Sequence, residues 1–171
     1  RIGIEAGINL LFWEPNYATL TQFMRQVAPS TRQGLQFLVG TFEAEPSRMR
    51  ADVDRALRVL GIEAIAYFML FWVRSWKRVT PEVRACLERL QEQGKIKNFG
   101  LSTHNRQLAV EAIEGGWNPV MVRHSAAHRG AEALIFPVAA RAGCGLIAFN
   151  NTCYGRLLAQ TPDGLHLDAA D

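Results

Sequence analysis

The stretch Gly94–His104, GKIKNFGLSTH, decides how the rest of the chain is interpreted. A helical pattern ends at Gly94, residues 96–101 alternate as in a strand, and Ser102–Asn105 is a polar exit before the next helical pattern. The chain repeats this arrangement of helix, strand and loop before and after the stretch. In parallel α/β folds the chemistry lies where the strands end, so the residues at these exits are the candidate functional residues.

The composition is that of an ordinary globular protein. Of the 171 residues, 49% are hydrophobic and 20% are charged, and the net charge is +3. No basic run is interleaved with aromatic residues, and the longest apolar run, Ile65–Val73, is too short to span a bilayer. We therefore expect neither nucleic acid nor a membrane as a partner. The cysteines, which lack metal-ligand spacing, favour reduced thiols and a cytoplasmic location; they are Cys86, Cys144 and Cys153.

Six strands are predicted, with helical patterns between them. The expected strands are Ile8–Trp13, Leu35–Thr41, Ile65–Val73, Ile96–Leu101, Pro119–His124 and Gly145–Asn150. The first expected helix is Ala18–Val27, with a break at Pro29-Ser30. The second runs from Glu45-Pro46-Ser47 to Gly61, and the third from Thr80-Pro81 to Gly94 with Thr80 as its cap. The fourth lies around Leu108–Ile113, and the fifth is Ala131–Ala142, with Pro137 as a kink or a restart. The tail, Ala159–Asp171, is predicted to be a loop.

The regular alternation predicts parallel strands joined by crossover helices. Either a doubly wound sheet or a (β/α)8 barrel satisfies this pattern. A complete barrel takes about 250 residues. The chain begins at Arg1 without a methionine, and we expect it to be an interior portion of a barrel that lacks the first and last units.

Five short motifs, each at a set place relative to a strand, resemble those of the aldo/keto reductases. The resemblance extends roughly from Ala6 to Leu158 and implies a single TIM-type barrel domain over residues 1–171, covering about strands two to seven. It also implies NADP(H) as cofactor, bound without a Rossmann motif, and no GxGxxG follows any strand here. The motifs are Gly7-Ile8-Asn9, Gly94-Lys95-Ile96, Gly100-Leu101-Ser102, Arg129-Gly130-Ala131-Glu132 and Ala148-Phe149.

The resemblance implies reduction of an aldehyde or ketone by hydride transfer. In that family a Tyr hydroxyl donates the proton, a Lys and an Asp lower its pKa, and a His orients the carbonyl group. Tyr17 stands at the tyrosine position, whereas Phe12 stands at the aspartate and Phe71 at the histidine. The lysine position falls near Thr41, and no Lys or Arg lies between residues 34 and 47. Tyr17 is therefore the predicted catalytic residue, and we expect the family's activity to be lost or altered.

The cofactor positions are better matched. By resemblance Ser102 contacts the nicotinamide amide and Phe149 stacks on its ring, with Thr103 and Asn150 as neighbouring cofactor residues. Thr103 replaces an asparagine of the family, and Met121 replaces its amide-binding glutamine. The resemblance alone thus predicts NADP(H) and a small carbonyl substrate or ligand. No metal site is predicted.

Several other residues at the exits leave alternatives open. Glu14 could supply an acid near the missing aspartate, His124 could replace the missing histidine, and His104 or Arg123 could face a pocket. The aromatic residues near the exits are either core or the wall of an apolar pocket; they are Phe12, Trp13, Phe71, Trp72 and Trp76. The basic residues of one loop are either a solvated face or an anion contact; they are Arg74, Lys77 and Arg78.

Two functional hypotheses follow from the sequence. The first is an NAD(P)H-dependent oxidoreductase of aldehydes or ketones. The second is a non-catalytic protein that binds a ligand or serves as a scaffold with a protein partner. The missing Asp, Lys and His favour the second hypothesis, because the family's chemistry depends on their tuning of the tyrosine.

Overall fold

The computed structural model describes residues 2–160, in which six strands form one parallel sheet. The strands are β1 (Leu10–Trp13), β2 (Gln36–Thr41), β3 (Ile65–Leu70), β4 (Ile96–Thr103), β5 (Val120–Arg123) and β6 (Leu146–Phe149). Their order in the sheet is their order in the chain. A doubly wound sheet reverses its order part-way, whereas a barrel does not. The order therefore confirms the predicted (β/α)8-type architecture, with six of the eight strands of a closed barrel.

Helices follow the strands and cover the outer face of the sheet. Side chains at three helix starts accept hydrogen bonds from first-turn amides: Glu45, Thr80 as predicted, and Asn105. The helices are α1 (Ile2–Glu5), α2 (Ala18–Gln26), α3 (Pro29–Gln33), α4 (Pro46–Leu60), α5 (Pro81–Glu92), α6 (Arg106–Glu114) and α7 (Phe136–Ala142), and two 3₁₀ turns cover Trp76–Arg78 and Arg156–Leu158.

The curled sheet separates two hydrophobic cores. The larger core lies between the sheet and the helices, where Met49, Val53 and Leu60 of α4 are buried against the strands. The smaller core lies on the concave side and contains Leu38, Met69, Phe71 and Met121. Residues of both β1 and β6 line one cavity on that side, which shows that the sheet curls round it.

Two glycines allow the concave side to pack. A Cβ atom at Gly100 would lie 1.9 Å from the main-chain oxygen of Pro119, and one at Gly40 would lie 2.5 Å from the Phe71 ring. Neither distance is possible for a real side chain. The absence of a Cβ atom at Gly100 lets β4 approach the backbone that leads into β5, and its absence at Gly40 leaves room for an aromatic ring.

The third strand is shorter than its apolar run predicts. It ends at Leu70, and the chain turns at Trp72, whose φ is +55°. The turn is held by the Phe71 amide, which donates to Thr41 O (2.9 Å), and by the Val73 amide, which donates to Ser102 O (2.8 Å). Because this turn is largely buried, its residues are as apolar as those of a strand, and composition alone could not separate the two.

Other boundaries also differ from the sequence prediction. Strand β4 runs on through Ser102 and Thr103, which the sequence placed in the polar exit. Pro29 begins a short helix, since proline suits a first helical turn. The last helix begins only at Phe136 with Pro137 in its first turn, so Pro137 marks a restart rather than a kink. Apart from Ala159 and Gln160, the predicted loop of the tail lies outside the described residues.

Two classes of feature are missing from the part of the chain that the structure describes. No helix there is both long and apolar enough to cross a membrane. No three His, Cys, Asp or Glu side chains within residues 2–160 group in a way that could hold a metal ion.

Candidate functional site

A cavity of about 680 Å³ lies on the concave side of the sheet, towards the carboxyl ends of the strands. Apolar side chains make most of its wall, and the polar groups are few, as is usual for a small-molecule site. The polar lining residues are Glu14, Ser102, His104, Asn150 and Asn151; the others are Leu10, Phe12, Leu38, Phe42, Phe71, Trp72, Met121, Ile147, Ala148 and Phe149.

The exits of β1, β2 and β3 form what we call the aromatic half of the cavity: Phe12, Phe42 and Phe71. The Phe71 ring lies 5.5 Å from that of Phe12 and 5.4 Å from that of Phe42, between ring centroids. Phe12 and Phe71 stand at the positions where the family resemblance places its Asp and His. Offset and tilted rings at these separations attract one another, so the three pack as one apolar surface.

Tyr17 lies beside the aromatic half. Its ring centroid is 5.7 Å from that of Phe12, and 44% of the residue is exposed. Tyr17 lines a different cavity, of about 780 Å³, together with residues of α1 and α2 such as Ile4 and Phe23. Among the described residues, the lining of the main cavity therefore includes Phe12 but not the predicted catalytic tyrosine.

A cation does lie at the end of β2, although none is nearby in sequence. The guanidinium of Arg78 donates to Thr41 O (3.0 Å), to Glu43 O (3.1 Å) and to Phe71 O. Burial lowers the pKa of Arg78, partly offset by the charge of Glu43. Arg78 is thus neither the solvated residue nor the free anion contact considered from the sequence, since it joins the ends of β2 and β3.

The exits of β4 and β6 form the polar half of the cavity: Ser102, His104, Phe149, Asn150 and Asn151. The Ser102 Oγ accepts a hydrogen bond from the amide of Trp72 (2.8 Å), which leaves its own hydroxyl proton free to donate. The His104 ring lies edge-on to the Phe149 ring, 5.0 Å between centroids. Two predicted cofactor residues, Ser102 and Phe149, therefore lie in the same cavity.

Asn150 brings a third predicted cofactor residue to the polar half. Its φ is +60°, and its Oδ1 accepts a hydrogen bond from the amide of Tyr154 (3.0 Å). Its Nδ2 is buried and has no hydrogen-bond partner in the described part of the chain. A buried donor without a partner is costly, and here it belongs to a residue that lines the cavity.

Thr103, the fourth predicted cofactor residue, is placed differently. Successive side chains of a strand point to opposite faces, and Thr103 follows Ser102 directly. Thr103 is buried, and its Oγ1 accepts a hydrogen bond from the amide of Asn105 (3.0 Å). It is not among the described residues that line the main cavity, and its visible role is to shape the start of α6.

The remaining candidates divide between the cavity and the outer core. Phe12, Phe71, Trp72, Glu14 and His104 line the cavity. The Arg74 guanidinium lies 3.9 Å from the ring centroid of Trp72, as in a cation–π contact. Three more candidates have partners outside the cavity. Trp13 Nε1 donates to Thr21 Oγ1 (3.0 Å), and Trp76 Nε1 donates to Glu111 Oε2 (2.6 Å). His124 Nε2 lies 2.9 Å from Glu132 Oε1.

One cluster of reactive side chains was not anticipated from the sequence. Ser125 Oγ lies 3.4 Å from His128 Nδ1 and 3.2 Å from Cys153 Sγ, and the thiol lies 3.5 Å from the same imidazole nitrogen. Cys153 follows β6, whereas the other two follow β5. No local spacing links them, because only the sheet order brings the two loops together.

The comparisons with known proteins agree with this geometry. Solved structures of similar fold include the holo form of an aldo-keto reductase from Bacillus halodurans (21% identity, 95% of this chain, 58% of that chain, TM-score 0.79). They also include the glycerol dehydrogenase of Gluconobacter oxydans, with 20% identity over 98% of this chain and 57% of that chain (TM-score 0.76). A third is an aldo-keto reductase from Klebsiella pneumoniae in complex with NADPH, with 21% identity over 97% of this chain and 60% of that chain (TM-score 0.75). This chain thus spans between 57% and 60% of the length of these three structures.

The sequence itself matches the profile of the Aldo/keto reductase family over residues 39–167, which is more than half of the chain. The match includes β3 to β6 and thus the whole polar half of the cavity. The resemblance inferred from five short motifs is confirmed by this match and by the barrel-like strand order. The chain belongs to the aldo/keto reductase family.

Proposed function

We propose that this chain forms the cofactor-binding part of an NADP(H)-binding protein, with an apolar cavity for a small aromatic or aliphatic carbonyl compound. We further propose that it does not use the family's four-residue proton relay. One observation carries both statements: hydrogen-bonding groups are retained in the polar half, whereas phenylalanine rings fill the aromatic half, where the relay would lie.

The polar half fits the nicotinamide end of the cofactor. A carboxamide needs a donor for its oxygen and an acceptor for its amino group. The unpartnered Asn150 Nδ2 supplies the donor, and the Ser102 Oγ can supply either. Phe149 offers an aromatic ring beside them, in keeping with its predicted stacking role. Bound NADPH would supply the hydride.

The aromatic half supports a different role for the substrate end. Phe12 and Phe71 carry no proton to transfer and no charge to lower the pKa of Tyr17. Arg78 lies near the end of β2, where the resemblance places the family's lysine, but its Nη1 and Nη2 already donate to three main-chain carbonyl oxygens. Phenylalanine rings favour an apolar ligand and exclude water from it. They offer no charged partner to the carbonyl oxygen of a ligand on that side.

The test is NADPH binding to the full-length protein by titration calorimetry. Asn150→Asp keeps the oxygen that holds the Tyr154 amide and removes the cavity donor, so we expect the dissociation constant to rise about tenfold. Asn16→Asp makes the same chemical change in the exposed loop after β1 and serves as the matched control. If the wild type shows no heat of binding up to millimolar NADPH, the cofactor proposal is wrong.

A second candidate is a reductase in which Tyr17 remains the proton donor. It is favoured by one contact, that of the Tyr17 ring with Phe12, which lines the cavity. A screen of aldehydes and ketones with NADPH tests it, using wild type and Tyr17→Phe. Turnover that disappears in Tyr17→Phe would support this candidate; turnover that persists would require another donor, and no turnover with intact NADPH binding would favour the ligand-binding or scaffold role.

A further inference from the structure

A separate, smaller cavity of about 140 Å³ lies between the exits of β4 and β5, next to the polar half. The charged or titratable residues that line it are His104, Arg106, Arg123 and His128, and no carboxylate is among its described lining residues. His104 lines both cavities, so the small cavity borders the main one. We call it the cationic pocket.

The two arginines of the cationic pocket carry charges that the described part of the chain does not neutralise. Within residues 2–160 neither Arg106 nor Arg123 forms an ion pair. The Nε of Arg123 is buried and has no hydrogen-bond partner there. A guanidinium that gives up water without gaining an acceptor is unfavourable, because each buried N–H should be satisfied. Arg106 is exposed to solvent and Arg123 is half-buried, so the group that lacks an acceptor is the Nε of Arg123.

Contacts on the outer side of the pocket hold its donors in place. The Arg106 guanidinium lies so close to Gly130 that a Cβ atom there would be 2.3 Å from it. The Nδ1 of His128 lies within 3.5 Å of Ser125 Oγ and Cys153 Sγ, which leaves Nε2 as the ring nitrogen without a described partner. Asn105 Oδ1 already accepts from the first amides of α6, so the arginines provide the attraction for an anion.

We propose that the cationic pocket binds a single oxyanion group, a phosphate or a carboxylate. Guanidinium forks match the paired oxygens of both groups. A cavity of about 140 Å³ holds one such group but not a nucleotide. The oxyanion can be a free ion or the charged end of a ligand whose apolar part lies in the main cavity, since His104 borders both. This inference goes beyond the proposed function and does not require NADP(H).

The experiment is a calorimetric titration of the full-length protein with inorganic phosphate and with acetate, at constant ionic strength set with sodium chloride. We expect saturable binding, weakened about tenfold by Arg123→Gln and by Arg106→Gln, because each removes a charged hydrogen-bond donor. Arg55→Gln, at an exposed position of α4, is the matched control and should bind like the wild type. In ¹⁵N spectra the Nε–H resonance of Arg123 should shift as phosphate is added.

Phenyl phosphate separates the two sources of the oxyanion. If phenyl phosphate binds more tightly than inorganic phosphate, and Phe149→Ala reduces its affinity, the oxyanion is the charged end of an apolar ligand. If the two compounds bind with equal affinity, the oxyanion is a free ion. Equal phosphate affinity in all three arginine variants and the wild type would overturn the proposal, as would an unmoved Arg123 Nε–H resonance.

Two further measurements keep the test decisive. Arg123→Lys retains the charge but not the fork, so it should fold even if Arg123→Gln does not, and it should bind phosphate more weakly than the wild type. NADPH titration of the same variants separates the two proposals. Phosphate binding without NADPH binding would support the cationic pocket and contradict the cofactor role. NADPH binding without phosphate binding would support the cofactor role and contradict the cationic pocket.

Discussion

The two halves of the cavity are built on the same scaffold but differ in chemistry. Phe12, Phe42 and Phe71 close the exits of β1 to β3 with hydrocarbon, whereas Ser102 and Asn150 present hydrogen-bonding groups at the exits of β4 and β6. The difference teaches that in a (β/α)8-type sheet the strands position the exits, while the residue at each exit determines the chemistry there. Two halves of one cavity can therefore present different chemistry on the same scaffold.

The largest expected effect on stability comes from a substitution in a row of three strand residues that lies between the two halves. Gly40, Met69 and Gly100 pair in register across β2, β3 and β4. Gly100→Ala would force a Cβ atom against Pro119 O, which is main chain and cannot rotate away. We expect a loss of more than about 4 kcal/mol in the free energy of unfolding, or no folded protein. Urea denaturation followed by circular dichroism measures it.

Gly34→Ala is the control for this prediction. Its φ is −80°, and its Cβ atom would meet only Thr31 O, at an ordinary 3.6 Å. This variant should be about as stable as the wild type. Similar stability of Gly100→Ala and Gly34→Ala would contradict the close approach of β4 to the backbone before β5.

A smaller loss is expected within the aromatic half. Phe71 is buried and touches the rings of Phe12 and Phe42, so Phe71→Ala removes the centre of this surface. We expect a cost of about 3–5 kcal/mol, as for other large-to-small core substitutions. Phe42 is 61% exposed, and Phe42→Ala should cost less than about 1 kcal/mol. Equal costs in urea denaturation would show that the rings do not pack around Phe71.

In the polar half the corresponding test is Ser102→Ala. It leaves the Trp72 amide without its acceptor at a residue whose φ is positive, so the turn after β3 loses a constraint. The expected cost is about 1–3 kcal/mol, accompanied by weaker NADPH binding. Ser75→Ala serves as control, because the Ser75 side chain makes no capping hydrogen bond. An unchanged melting temperature and NADPH affinity in Ser102→Ala would remove Ser102 from the site.

The smallest effects concern two carboxylates outside the cavity lining, Glu45 and Glu132. Hydrogen bonds from Ser47 and Arg48 lower the pKa of Glu45 to about 2, and hydrogen bonds from Arg129 and His124 lower the pKa of Glu132 to about 2. A pKa lowered on folding stabilises the protein above pH 4.5, and this contribution is lost as the pH falls through about 2.

Glu45→Gln and Glu132→Gln should therefore melt slightly below the wild type at pH 7. The difference should shrink as the pH is lowered from about 4.5 towards 2, because the wild-type carboxylates then become protonated. Thermal melts at pH 7 and pH 2.5 measure it. A gap that is the same at both pH values would show that the charge of the carboxylate is not what stabilises these loops.

The sequence allowed the strands and most helices to be predicted, because apolar periodicity and glycine stops record them directly. The order of the strands in the sheet followed only from the family resemblance, since the pattern itself fitted a doubly wound sheet equally well. It failed at the turn after β3, since this turn, in which Phe71 and Val73 are buried on either side of a half-exposed Trp72, has the composition of a strand. Ser102, Phe149 and Asn150 were named from the family resemblance; they lie together at the cavity, and their role in cofactor binding stays a prediction. Thr103 was named with them because it stands at the position of a family asparagine, and in the structure it faces away from Ser102, since neighbouring strand residues face opposite ways.

The remaining site features depend on contacts that no local pattern records. Arg78 lies 37 residues after Thr41, yet it donates to the carbonyl oxygen of that residue. His128 and Cys153 are 25 residues apart and meet only because β5 and β6 are neighbours. Such contacts require the three-dimensional arrangement of the loops, which a single sequence specifies only indirectly.

The position of Arg78 has a consequence for how the protein should respond to salt. Its hydrogen-bond acceptors at the ends of β2 and β3 are all uncharged main-chain oxygens. Dissolved ions weaken the attraction between two exposed charges, but they have much less influence on a half-buried cation that is held by carbonyl groups. The junction between these two strands should therefore tolerate high ionic strength, while the ion pairs around Glu132 should not.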